Sequence, residues 1–542
     1  MSCEYLSLGM VPGSVVARRL GFYSGCMYAM LIVALTTAES RAQFGVQYTY
    51  LPPKLTATEP AAQAQEVRQR QAMKDKAVRS NQFQQADLKA WYADYFFRAI
   101  TASGPSQLGK IADLRYQLKR DFSFVQNQQA HDYIVTTALG YCPKIADMSE
   151  FHPAVRYNAM LIVADLNDVE ESRSDRSPPQ PSMKALAAML ASWQKENQID
   201  PVRVAILIGL ARHAELDLVQ PDNKKMPAAA RQKIQDAMLE LAGAVSPPPG
   251  RSAEGHAWMR RQALEILGRL GESGADAKVV KIMEQTLSGP DEQLPVQIAA
   301  ASALASIKLA PSDIANADTV IEKLGELALI ACNHELQEQL DMRAQGSMGG
   351  YGGEGGGRGG YGYGAGPGPD AMMMEGSGRD DAYGYGDEYG GEGGVSRRPR
   401  RPRAVEETLN DPRTAAMRRR LLYRLEIVLH AYEGVAPGNG VNSVAADPAQ
   451  KRLIGDIKSE INKIITDLSD HLTTLEDLEP KLLAATKDLR DTLPNASEIK
   501  IPGEQMTGPD ASKLLPNLEG VDAPKRPEAK PLDNFPTDIL NE

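Results

Sequence analysis

Four stretches decide how this chain is read: HPAVRYNAMLIVADL (152–166), DPVRVAILIGLAR (200–212), AWMRRQALEILGRL (257–270) and LPVQIAAASALASI (294–307). With Arg156, Arg203, Arg260 and Gln297 set in one register, an apolar residue precedes each: Val155, Val202, Met259 and Val296. Seven positions on stand Val163, Leu210, Leu267 and Leu304, and alanine falls two or three positions after the register residue. Such spacing draws one apolar face along a helix. The last three stretches each follow a further helical pattern, SMKALAAMLASWQKE (182–196), ARQKIQDAMLELAGA (230–244) and AKVVKIMEQTLSG (277–289). A helix pair recurring at intervals of roughly 40–60 residues predicts an all-α array in which each unit buries its face on the next.

The Pro-Val-Arg start, with Ala and Leu at these offsets, resembles the second helix of HEAT repeats over roughly residues 110–435. Gln297 in place of Arg, and His152 before Pro153, depart from that pattern. The resemblance implies a HEAT-like α-solenoid of about five helix pairs whose second helices line a concave surface. DPVRVAILIGLA and LPVQIAAASALA are apolar nearly all round, and helices of that kind are covered on more than one side. The face opposite the core falls at offsets one, five and eight from the register residue. It carries Tyr157, Leu161, Val204, Ile208 and Ile298, a candidate partner groove. A protein partner is one expected occupant. The chain's own C-terminal helix or N-terminal arm is the favoured one, because an exposed apolar groove is an aggregation hazard.

A fifth pair reads as split, its first helix in DTVIEKLGELALIACNHELQEQL (318–340) and its second in AAMRRRLLYRLEIVLHAY (415–432). Residues 346–404 intervene, and 22 of the 46 glycines fall within 346–394. With few branched apolar residues, such a segment cannot offset the entropy of ordering and is expected to be disordered. Its Gly357-Arg358-Gly359-Gly360 invites an RNA-binding reading, but eight carboxylates oppose only Arg358 and Arg379, so no nucleic-acid partner is expected. Arg397, Arg398, Arg400, Arg401 and Arg403 follow as a candidate contact for an anionic polymer, or a partner for the acidic loop beside them.

At the C-terminal end, Leu453, Ile457, Ile461, Ile464, Leu468, Leu472 and Leu475 mark a long amphipathic helix, and a second after Pro480 folds back on it, giving a hairpin over 446–493. Residues 494–542 read as a disordered tail. At the other end, 43–62 reads as an extended arm stopped by Pro52-Pro53. Residues 63–109 read as an amphipathic helix whose Leu88, Trp91, Tyr95 and Ile100 cap the end of the core.

The first 42 residues have the order of a secretory signal: Arg18-Arg19, an apolar run, then Ser40 and Ala42 ahead of Gln43. Export is therefore expected, to the periplasm, cell envelope or outside. The alternative is an uncleaved anchor over 20–38, since about 20 apolar residues span a bilayer. Cys3 and Cys26 leave with that leader. Cys142 and Cys332 remain, too far apart in the array for a bridge and read as buried small hydrophobes.

The net charge of −10 argues against a general nucleic-acid coat. No nucleophile elbow, phosphate loop, HExxH or CxxC pattern occurs, and Cys332-Asn333-His334-Glu335 supplies too few ligands for zinc. No catalytic residue, cofactor or metal is expected. Two function classes stand: an exported non-enzymatic scaffold or adaptor that binds protein partners, and an envelope structural or adhesive protein acting through the Gly/Tyr-rich loop and Arg cluster.

Overall fold

Proline opens most of the second helices, where its missing N–H costs nothing and its fixed φ is already helical. In the computed structural model, which describes residues 47–172, 177–348, 412–470 and 473–503, the chain is predominantly helical. The leader, the insertion with its Arg cluster, and residues 504–542 lie outside the described residues.

The central helices run in pairs. α3 (Gln128–Asp147) precedes α4 (Pro153–Asp165), α5 (Met183–Trp193) precedes α6 (Asp200–Val219), and α7 (Ala228–Gly243) precedes α8 (Ala253–Leu270). α9 (Lys278–Ser288) precedes α10 (Leu294–Ser306), and α11 (Ala317–Met348) packs on α12 (Pro412–Glu433) across the insertion. The second helices form one row: α4 packs on α6, α6 on α8, α8 on α10, and α10 on α12. First helices touch each other on the other side, α3 with α5, α7 with α9 and α9 with α11.

The register positions are the seam of that row. Val155, Val202, Met259, Val296, Val163, Leu210, Leu267 and Leu304 are all buried. The row needs small residues where helix axes approach: a Cβ on Gly268 of α8 would lie 2.7 Å from the Ala303 Cα of α10. The same register continues unannounced in α12, where Met417 precedes Arg418 and Leu425 follows seven later, all buried.

Between α4 and α5 the chain makes a two-stranded antiparallel hairpin, β1 (Asn167–Val169) with β2 (Gln180–Pro181), which the sequence pattern did not reveal. The N-terminal region departs further from expectation. In place of one helix over 63–109, α1 (Pro60–Val78) ends before a loop, and a second helical segment over 85–99 is π-helical through Lys89–Phe96. The wider π turn carries Trp91, Tyr92 and Phe96 all into the core, against α1 and α3. α2 (Ile111–Phe124) completes this block and packs on α4. The arm, described from residue 47, lies along it: Thr49 N–H donates to Glu150 O, Lys54 N–H to Asp94 O and Leu51 N–H to Thr101 Oγ1.

At the C-terminal end α13 (Pro448–Ser469) and α14 (Leu475–Thr492) form a hairpin that packs on α11, with α13 also on α12. Pro480 lies inside α14 and not before it; a proline there removes one intrahelical bond near the helix start, which the packing of Leu478, Leu482 and Leu489 overrides. The tail also begins later than its composition suggests. Leu493, Ala496 and Ile501 are buried, and Asn495 and Lys500 bond to Glu322 and Asn333 of α11, so the chain is fastened through residue 501.

Candidate functional site

The register arginines are clamps. Every helix ends in carbonyls without intrahelical partners, and the end carries partial negative charge. Arg156 Nε donates to Ala146 O at the end of α3 (2.9 Å), and Arg260 Nε to Ala242 O at the end of α7 (3.0 Å). Arg203 donates to Gln198 O and Lys195 O just past α5, with its guanidinium over the Trp193 ring. Gln297 reaches Leu287 O and Gly289 O at 3.4 and 3.5 Å, a weaker version of the same contact. Arg418 clamps the end of the following helix, donating to Leu468 O, Asp470 O and Thr473 O past α13.

Two of these clamps also reach the loop ahead of the next second helix. Arg156 Nη2 donates to Gln198 Oε1 (2.8 Å), itself bonded to Asp147 and Ser192, and Arg260 Nη1 meets both oxygens of Glu292 at 2.8 Å. Asp200, at the start of α6, makes a two-pronged pair with Arg251 ahead of α8, which holds its carboxyl below the usual range. Burial pulls Arg156 below the usual guanidinium value, opposed by Asp147 and Glu150. These contacts tie the first four pairs to one another in turn, which holds the rotation between their second helices.

That face is not uniformly apolar. Leu161 and Ile298 are 8% and 6% exposed, Tyr157 and Val204 are half-buried, and Ile208 alone of the five is 41% exposed. On α8 the same offsets carry Arg261 and Glu265, paired at 2.9 Å, and on α10 Ser302. On α12 they carry Arg419 and Tyr423, the latter 48% exposed. The expected groove is therefore an apolar stretch on α4 and α6, a charged centre on α8 and an exposed aromatic on α12. Offset eight belongs to the helix-to-helix contact, as Gly268 shows, and not to the groove. The signal that could have found the α12 positions was the Met417-Arg418 and Leu425 register.

The two expected occupants of the groove lie elsewhere. α13 packs on α11 and α12 and α14 on α11, and the arm, from residue 47, follows the N-terminal block, where Tyr48 meets the His152 ring edge-on.

Other polar clusters are tied into the fold. Glu335, fully buried on α11, accepts from Arg420 and Arg424 of α12 at 2.8–3.3 Å, and Glu338 accepts from Arg420 at 2.6 Å. His334, Glu335 and Glu338 lie within metal-ligand reach of one another, but the two guanidiniums already neutralise the carboxylates that a cation needs. Cys142 and Cys332 are buried and unpaired, and burial pushes the Cys332 thiol up to about 12.

Lys74 of α1, fully buried, donates to Asp121 (2.7 Å) and Asp75 (2.6 Å) and sits 5.6 Å over the Trp91 ring; Tyr92 donates to the other Asp121 oxygen at 2.7 Å. Burial raises Asp121 despite Lys74, and this knot ties α1, the π segment and α2. A cavity of about 180 Å³ does lie beneath the hairpin, walled by Gln180, Met183, His213, Asp217 and Met226 among others. Its His213 is buried and depressed below the usual imidazole value by desolvation, its nitrogens facing Gly209 O and Ser182 O. Asp217 there accepts from Met226 N–H and Arg231, which closes the loop onto α7.

No family model, no curated protein and no solved structure matches this chain. Among the described residues no helix is long and apolar enough to cross a membrane.

Proposed function

We propose that the chain is an exported, non-enzymatic scaffold: a HEAT-like α-solenoid of about five helix pairs, the fifth split by the insertion, that holds a protein partner along the outward face of its second helices. The observation that carries this reading is the row α4, α6, α8, α10, α12, with its rotation locked by buried Arg clamps and a mixed surface of exposed apolar and charged residues running across it. A mixed apolar, aromatic and charged face on a rigid support suits protein recognition. The order of residues 18–42 supports export.

A photo-crosslinking residue at position 208, on the proposed face, is compared with one at the exposed Lys233 on α7. In the native envelope fraction, position 208 should yield one discrete protein adduct that Val204→Glu abolishes. Equal adducts at both positions, or none at 208, refute the partner face. N-terminal sequencing of the native protein should begin at Gln43; a chain beginning at Met1 and extracted only with detergent refutes cleavage there and favours the uncleaved anchor over 20–38.

A further inference from the structure

The N-terminal block carries an exposed face that the helix row does not use. α2 buries Ile111, Leu118, Asp121 and Phe122 and turns Tyr116, Lys119, Arg120 and Phe124 outward. At 3.6 residues per turn these four span about 140° of the helix. Tyr116 is 69% exposed and Phe124 39%. At the end of α1 the Arg79 guanidinium lies 5.1 Å over the Phe124 ring, which joins exposed Lys76 and Arg79 to the same surface.

Among the described residues none of Lys76, Arg79, Lys119 and Arg120 has a carboxylate partner. Of the carboxylates on these helices, Asp75 and Asp121 hold Lys74 and Glu66 holds Arg70, while exposed Asp113 shares the outward arc one turn before Tyr116 and is paired with none of the four cations. In a chain of net charge −10, this face is a local reversal of sign that also leaves two aromatic rings in water.

We propose that this face seats the protein on an anionic lipid surface, with the four cations against headgroup phosphates and Tyr116 and Phe124 at the boundary with the acyl region. Cations beside exposed aromatic rings are the composition that peripheral membrane faces use. The cations sit on the outer backs of two adjoining helices, whereas a single nucleic-acid strand is held in a groove that tracks its backbone. The contact is peripheral and independent of any spanning segment.

The test is co-sedimentation of the full chain with phosphatidylglycerol-containing vesicles and with pure phosphatidylcholine vesicles, reading the difference between the two so that any contribution of residues 20–38 cancels. Binding should favour the anionic vesicles and fall as salt rises from about 0.1 to 0.5 M. Lys119→Glu with Arg120→Glu should weaken it at least about tenfold, since each cation near such a surface contributes roughly a fivefold share and two are lost. Tyr116→Ser with Phe124→Ser should cut the binding that survives high salt. Lys119→Gln with Arg120→Gln keeps the charge change small, and thermal melting checks the fold of all three. Equal binding to both vesicle types overturns the proposal, as does binding unchanged in the folded charge variants. Tighter charge-dependent binding to polyglutamate or to a single-stranded oligonucleotide than to the anionic vesicles also overturns it, in favour of an acidic polymer.

Discussion

Removing the Arg260 guanidinium should leave a carboxylate stranded in the seam between α8 and α10. The Arg260 and Glu292 side chains are 5% and 6% exposed, with Nη1 2.8 Å from both carboxylate oxygens and Nε capping Ala242 O. Breaking a buried pair by deleting one partner costs about 3–5 kcal/mol, because the remaining charge is neither solvated nor paired. Arg260→Met fills most of the same volume, so that loss is chiefly electrostatic. Replacing both members with apolar residues, Arg260→Met with Glu292→Met, should recover most of the loss, since such exchanges are often neutral. Urea denaturation followed by the helical circular dichroism signal measures this, with midpoints compared at constant slope to guard against loss of cooperativity along the array. A coupling of about 2 kcal/mol or more is expected from the cycle. A single variant that loses under about 1 kcal/mol refutes the clamp. So does a Met substitution equally costly with and without Glu292.

Gly268→Val should destabilise by about 1–3 kcal/mol through overpacking against Ala303, whereas Gly140→Ala, in α3 with no atom near the new Cβ, should stabilise by about 0.5–1 kcal/mol; chemical denaturation of the pair checks both signs. Glu66 accepts from Ala57 N–H, Thr56 N–H and Arg70, which lowers its carboxyl to about 2. Its folded pKa lies below the unfolded one, so its contribution is complete above about pH 4.3 and lost as pH falls through the folded value. Proteolysis of the arm 47–59 should accelerate over that window in the native chain, and Glu66→Gln should cut equally fast at pH 6 and pH 3. Severing the chain at a protease site engineered between Gly349 and Asp411 should leave two fragments that co-elute, held by the α11–α12 contact, the Glu335 pairs and the Tyr432 hydrogen bond to Ile321 O; fragments that separate on size exclusion refute that packing as the tie.

The seam was legible because burial on a helix leaves a periodic trace: an apolar residue before the register Arg, a small one after and a branched one at plus seven are all buried. The register arginines were visible as a recurrence, but their role was not. A guanidinium at the start of one helix gives no sign that its acceptor is a carbonyl at the end of another, or a carboxylate in a loop about thirty residues further on. Nothing in local periodicity marks Lys74 and Asp121 as partners, and only the packing of α1 against α2 brings them within 2.7 Å in a dry interior.

The sequence by itself determined the helical class, the pairing of helices and the seam residues, because these follow from local periodicity, which any neighbour of suitable shape satisfies. Tertiary structure decided the rest. It broke the expected groove into apolar, charged and aromatic stretches, because which side chains share a surface depends on the rotation between successive helices. It also sent α13 and α14 onto α11 instead of into that groove. An amphipathic stripe specifies that something apolar must cover it and not which surface, and here α11 offers Gly325, whose missing side chain lets Leu493 and Ile457 approach.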